Sequence, residues 1–454
     1  MAPSEIHVPH RHGGWLPKNR RHMIDWLKHL VRDVDDREEA PELPNEVDEL
    51  RRLIENSPEL RMLASAMLSE VPNVEPYIND PVGNKQIRDI DHLLQLFGVV
   101  MTEVAPEWNQ KAHSVGLIGF PFNTVLDWPM ATPSGYAFFL KPEVNAKIRG
   151  ILNAWKDDFL STSDSQHVIS TAENMWLSQP ALEALEADAD VDGTGRKFQD
   201  LFICDPEGDP VHWGFKSWDD FFIREFKDIE TTRPVASRDK PEVLANACES
   251  KPYAMQTGVK RRDSFWLKGQ PYSLSEMLDG HAWTEDFVGG TVYQAFLSAT
   301  SYHRWHSPVT GKVIRTQVIN GTYFSEPTIT GFHQGNAPDP AAPDQAQGYI
   351  THVATRAIFF IEADAPVGRV CVVFVGMADV SSCEILKKFK TGKPTAVQKG
   401  EQIGMFHHGG STHCVVLRKG IKVDFVPGAD PQTATKNLGL RAKLGTVTQI
   451  GDDA

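Results

Sequence analysis

GKVIRTQVI (residues 311–319), AIFFIEAD (357–364), RVCVVFVGM (369–377), THCVVL (412–417) and IKVDFV (421–426) are short β-branched runs separated by glycine, proline and aspartate. Runs of this length, at this spacing and with this punctuation, predict an all-β sandwich or a partly open barrel. Upstream the pattern changes to a helical period. Met23, Leu27, Leu30 and Val31 recur at that spacing, as do Ile87, Ile90, Leu94 and Phe97. The longest stripe is Val144, Ile148, Ile151, Leu152, Trp155 and Phe159, entered through Pro142, and such stripes face a core. Between the two halves lies SWDDFFIREF (217–226), where Ser217 is placed as an N-cap with acidic residues in the first turn. The expectation is an α+β protein: a helical region over residues 1–205, then a β-sandwich-like domain over 206–454.

Composition narrows the function. Lys plus Arg is 46 against 60 for Asp plus Glu, a net charge of −14. A nucleic-acid partner would need a basic face, so that class is disfavoured. Cys204, Cys248, Cys371, Cys383 and Cys414 are odd in number and form no CxxC pair, which argues against a disulfide framework or a zinc knuckle. The first thirty residues hold no apolar signal core, and no run approaches the roughly 20 apolar residues that span a bilayer. A reducing, cytoplasmic setting without a stable membrane anchor is expected. HQGNAPDPAAPDQAQG (333–348) reads as a long insertion between strands, either a lid or a mobile loop. DWPMATPSGY (127–136) is distinctive without announcing a role.

Three separated segments carry chemistry. HHGGST, residues 407–412, sits between two strand-like runs, and its paired glycines permit a tight turn that aims the Ser411 hydroxyl at the Gly410 carbonyl. The same six residues are equally a common hairpin loop. SYHRWHSP (301–308) places His303 and His306 three apart, which is also a spacing for structural histidines or for a metal. LANACESKPY (244–253) puts Glu249 after an apolar strand-like run.

Taken together with Arg233-Pro234, LKGQPYSL (267–274), FVGM (374–377) and KGEQIGMF (399–406), these segments resemble the phosphatidylserine decarboxylase family, over roughly residues 215–430. The similarity is closest to its soluble fungal branch, which includes an L-tryptophan decarboxylase and has ACES (247–250) at the family's usual Asp position. The resemblance implies a chain that cuts itself between Gly410 and Ser411 into 1–410 and 411–454, the fragments staying associated. Ser411 then becomes a pyruvoyl cofactor, an electron sink for decarboxylating an amino acid. It also implies His306 as the base for Ser411, Glu249 as the carboxylate orienting that base, and His303 as the proton donor in decarboxylation. Glu249 is one methylene longer than the family's Asp.

A missing anchor and an acidic chain favour a free aromatic amino acid, L-tryptophan first, over a phospholipid. Tyr323, Phe324 and Phe332 are candidates for the pocket wall, with His407 and His408 near the turn. The alternatives are a phosphatidylserine decarboxylase acting at a membrane and a non-catalytic β scaffold. Separately, DADVDG (188–193) places Asp188, Asp190 and Asp192 at the first, third and fifth positions of a calcium loop, with Thr194 offering a carbonyl. Gln199 stands where that loop usually has Glu. Ca²⁺ is therefore a candidate second ligand.

Overall fold

Short polar caps and prolines start most of the N-terminal helices. The computed structural model describes residues 11–12, 21–70, 87–109, 120–263, 272–326, 329–330, 347–377, 379–380 and 382–450. Among them the helices that build the N-terminal core and lead to the site are α1 (Arg21–Asp35), α2 (Asn45–Asn56), α3 (Pro58–Met67), α4 (Ile90–Glu103), α5 (Pro121–Leu126), α6 (Pro133–Phe139), α7 (Pro142–Ala154), α8 (Gln179–Ala189) and α9 (Trp218–Phe222). Ser57, Asp89, Thr132 and Ser217 each accept a hydrogen bond from a backbone N–H of the turn they cap. α7 runs on without a break into a π-helical turn, Trp155–Leu160. The long stripe from Val144 to Phe159 is buried along its whole length, as the periodicity predicts. Leu27, Leu30, Ile87, Leu94 and Phe97 are buried as well, whereas the side chain of Met23 lies outside the described residues.

Asp127 to Tyr136 acquires a role as a buried corner. Trp128, Met130 and Ala131 pack in the helical core, and Thr132 caps α6. That core continues past residue 205 through Phe215, Trp218, Phe221, Phe222 and Phe226.

Beyond a two-strand pair of Arg11–His12 with Ile329–Thr330, the C-terminal half is built mainly on antiparallel sheet. Its strands are β1 (Val243–Ala245), β2 (Lys251–Thr257), β3 (Thr291–Leu297), β4 (Arg304–His306), β5 (Gly311–Ile319), β6 (Arg356–Ala363), β7 (Arg369–Gly376), β8 (Cys383–Ile385), β9 (Thr395–Val397), β10 (Gln402–Phe406), β11 (Ser411–Leu417), β12 (Ile421–Phe425) and β13 (Lys443–Gln449). Seven form the main sheet in the order β9-β5-β6-β7-β11-β3-β2, and two three-stranded sheets run β8-β10-β4 and β12-β13-β1. Both faces of the main sheet are buried, so its strands read as near-continuous apolar runs and not as an alternation.

Side chains alternate across the sheet. Val415 and Leu417 of β11 join the core containing Trp305, Ile403 and Phe406, while Cys414 and Val416 face the core built on Leu274, Met277 and Phe287. Ser411 and His413 share the parity of Val415. They therefore face the side on which Trp305 of β4 stacks on Phe374 of β7, with ring centroids 4.2 Å apart and planes 3° from parallel. The predicted sandwich is thus realised as a wide sheet with smaller sheets laid against it. Phe332 and most of the 333–348 insertion lie outside the described residues. Among the described residues no helix is long and apolar enough to cross a membrane.

Candidate active site

β10 ends at Phe406, and the chain must reverse before β11 begins at Ser411. His408 (φ +43°) and Gly409 (φ +84°) make that reversal in left-handed backbone, where Gly409 needs the freedom of a glycine. Ser411 then enters the middle of the main sheet, opposite Leu297 of β3 on one side and Gly376 of β7 on the other. Its hydroxyl is fully buried and has no hydrogen-bond partner. The carbonyl of Gly410, the group next to it in the chain, accepts the N–H of Met377 at 3.1 Å. An unengaged hydroxyl beside a carbonyl already held and polarised by a donor is the arrangement that intramolecular acyl transfer requires. These residues fit a serine-derived pyruvoyl group.

The two YHRWH histidines differ. His306 is buried, and its Nδ1 lies 2.8 Å from the Gly400 carbonyl. A carbonyl only accepts, so Nδ1 carries the proton and Nε2 is left as an acceptor, without a partner in the structure. Burial pushes this imidazole down to about 3, which keeps it neutral. The expected Glu249 contact is absent. Glu249 is instead gripped by Arg233, Nε to Oε2 at 2.5 Å and Nη2 to Oε1 at 2.8 Å, with the Leu440 N–H at 3.4 Å. The physical reason is charge: Arg233 and Glu249 are both almost wholly buried, and a buried carboxylate takes a guanidinium before a neutral ring. Glu249 reaches His306 only through the chain, since Ala247, two residues earlier, accepts the His306 backbone N–H at 2.9 Å.

His303 is fully buried, and neither ring nitrogen has a well-formed hydrogen bond. Its ring stacks on Phe222 of α9 at 4.0 Å. Burial, and then the nearby Arg224 cation, push its pKa well below the usual imidazole range, against the pull of the Ser301 and Ser298 carbonyls. Ser298 directly follows Leu297, the strand partner of Ser411.

His407 and His408 part company. His407 turns away to an ionic clamp: Nδ1 lies 2.8 Å from Asp219 of α9, and Nε2 lies 3.0 Å from Glu384 of β8. Burial works against its charge, yet Asp219 and Glu384 hold its pKa above the ordinary value. His408 is buried with its ring edge on Trp155, centroids 5.1 Å apart. Tyr323 and Phe324 sit in the helical core. The Tyr323 N–H bonds Asn145 at 3.2 Å, and Phe324 meets Phe139 edge-on at 5.9 Å. These are packing contacts, and none of them is to the Ser411 turn.

The calcium expectation finds no support among the described residues. Asp188 binds the hydroxyls of Ser298 and Thr300, Asp190 accepts the Gly195 N–H at 2.9 Å, and Asp192 accepts both the N–H and the hydroxyl of Thr194. The carboxylates go to separate partners, and no group of three or more ligating side chains among the described residues could hold a metal.

Sequence reasoning missed Met377 as a donor, Phe120, Gly400, Asp219 and Glu384. Met377, Gly400 and Asp219 lie inside motifs that were read (FVGM, KGEQIGMF, SWDDFF), but nothing in those motifs says which atom faces which. Phe120 comes from the helical half and carries no local signal.

Sequence profiles of the phosphatidylserine decarboxylase family match residues 44–185 and 218–438. The chain is 39% identical to decarboxylase iboD of Amanita muscaria, over 72% of this chain and 90% of that one. It is 35% identical to an L-tryptophan decarboxylase of Psilocybe cyanescens, over 76% of this chain and 75% of the relative. The corresponding enzyme of Psilocybe cubensis is 32% identical, over 77% and 80% of the two chains.

Proposed function

The chain belongs to the phosphatidylserine decarboxylase family and is a pyruvoyl-dependent carboxy-lyase, and from that premise we propose that it decarboxylates free aromatic L-amino acids, L-tryptophan first. The observation that carries the reading is the pairing of an unengaged, buried Ser411 hydroxyl with a Gly410 carbonyl held by the Met377 N–H.

In self-cleavage Ser411 Oγ adds to the Gly410 carbonyl carbon as its proton passes to Nε2 of His306, and the Met377 N–H holds the oxygen as it gains charge. The C–N bond breaks, the nitrogen takes up a proton, and Gly410 is left as an ester on Ser411. Loss of the Ser411 α-proton then breaks the Cβ–Oγ bond and frees the Gly410 carboxylate. Water replaces the nitrogen, which departs as ammonia, and a ketone remains at residue 411. An imidazole depressed as far as His306 is a weak base, so it accepts the proton during the attack and not before it. The Gly400 carbonyl fixes its tautomer, and the Arg233–Glu249 pair braces the strand segment whose Ala247 carbonyl holds its backbone.

The pyruvoyl group, once formed, supplies the electron sink for the charge left when carbon dioxide departs. His303, flat on Phe222 and with neither ring nitrogen in a well-formed hydrogen bond, is assigned the proton that returns to the α-carbon. In this reading the helical region (1–205) and the catalytic part (206–454) serve one site. The fragment 411–454 is retained because its first strand lies between β3 and β7. The five unpaired cysteines support a reducing, cytoplasmic setting.

The test is incubation of purified protein with L-tryptophan, L-phenylalanine, L-tyrosine and, separately, phosphatidylserine vesicles. The aromatic amine is the expected product. Turnover of the vesicles alone would transfer the assignment to the phospholipid.

A further inference from the structure

The Ser411 turn is lined from the helical half of the chain. A methyl group built on Gly410 would lie 3.0 Å from Cζ and 3.3 Å from Cε1 of Phe120, so that ring rests directly against the Gly410 α-carbon. Phe120 is the residue before α5, and the Asp379 side chain fastens α5 to the β domain. The carboxylate of Asp379 accepts the N–H of Phe122 at 3.1 Å and that of Asn123 at 2.9 Å. Asp379 is fully buried and lies two residues beyond Met377, whose N–H holds the Gly410 carbonyl. One short loop therefore fixes the Gly410 carbonyl and, through Asp379, the helix that presents Phe120. Trp155 extends the same wall, touching Phe122 edge-on at 5.2 Å and His408 at 5.1 Å.

Self-cleavage gives this wall a second use. The α-carbon of residue 411 stays bonded into the head of β11 while it loses its proton and exchanges its nitrogen for a ketone oxygen. A substrate amine joined at that carbon places its nitrogen where the Ser411 nitrogen stood, and its next atoms extend along the line Gly410 occupied. The group facing Gly410 before cleavage faces the substrate afterwards.

We propose that Phe120, supplied by the helical N-terminal region, is the substrate-facing wall of the decarboxylation site and selects for an aromatic amino-acid side chain. The proposal rests on the decarboxylase reading above and adds the residue that sets its specificity. An aromatic ring at that place rewards a planar side chain by stacking and gives a small one little to contact.

The experiment takes wild-type protein, Phe120→Ala and Phe120→Leu, each checked for cleavage into 1–410 and 411–454 by mass. L-tryptophan and L-alanine are then offered in competition, and borohydride reduction traps whichever amino acid is joined to the 411–454 fragment. The ratio of trapped masses is read alongside kcat and KM. The expected result is normal cleavage with the tryptophan preference lowered roughly tenfold in Phe120→Ala, mainly through KM, and by less in Phe120→Leu. Cleaved variants with the wild-type trapping ratio would overturn the proposal. Failure of both variants to cleave would do so too, by making Phe120 a support of the turn alone. Wild-type protein that traps and turns over neither amino acid would instead sink the decarboxylase reading itself.

Discussion

At the residue scale, the histidines separate by what each ring nitrogen touches. His306 has one nitrogen fixed and one open, whereas His303 lies against an aromatic face with neither nitrogen in a well-formed hydrogen bond. The assigned roles give distinct phenotypes. His306→Ala is expected to remain a single chain on a denaturing gel. His303→Ala is expected to yield both fragments, with amine formation slowed by about 10²–10⁴; the reverse pattern would exchange the roles. Arg233→Met isolates a second residue-scale effect by leaving Glu249 buried without its cation. Urea unfolding should show a loss of about 3–5 kcal/mol, largely recovered by adding Glu249→Leu. A single variant as stable as wild type would remove the brace from the account.

At the scale of elements, His407 ties the end of β10 to α9 and β8 through Asp219 and Glu384, and the cleavage turn leaves from that knot. Lys156, on the π-helical turn, opposes its charge, and His407 and Lys156 in turn help keep the neighbouring buried His408 neutral. The folded-state pKa of His407 is raised. The clamp therefore stabilises fully below about 6.5, its unfolded value, and the contribution fades as pH rises through the raised value. Thermal midpoints should fall on the alkaline side in wild type, and this slope should flatten in Asp219→Asn. An unchanged slope would mean that His407 is not the titrating group.

The elements also show what was legible. The strands, the buried helical stripe and the Gly410–Ser411 turn could be read because periodicity and glycine placement are local properties. The partner of Glu249 could not, because Arg233 lies outside its strand and only the fold decides which cation reaches a buried carboxylate. Nor could Phe120, which meets Gly410 only because Asp379 carries α5 across to the sheet. The calcium reading goes unsupported for a related reason. DADVDG has the right spacing, but hydroxyls and N–H groups take its carboxylates one by one.

For the whole molecule, burial has a cost in acid. His306, His352 and His413 are buried and pushed down to about 3, so folded protein keeps them neutral where the unfolded chain protonates them. Their folded values lie below the unfolded one. These three groups should therefore add no slope of their own above about pH 6.5 and should lower stability below it, by up to about 1.4 kcal/mol per pH unit for each. Denaturation midpoints between pH 4 and 8 check this; a flat profile would contradict the burial of these rings. The same scale bears on the proposal that the two fragments stay together. β11 is paired along its full length with β3 and β7, a ladder that does not depend on the peptide bond preceding it.

The most direct test is the intact mass of the purified protein under denaturing conditions, compared with Ser411→Ala. The account predicts two masses for wild type, residues 1–410 and a 411–454 fragment whose N-terminus is a ketone resistant to Edman degradation, and one full-length mass for the variant. A single full-length wild-type chain, or a cut at any other bond, would contradict it.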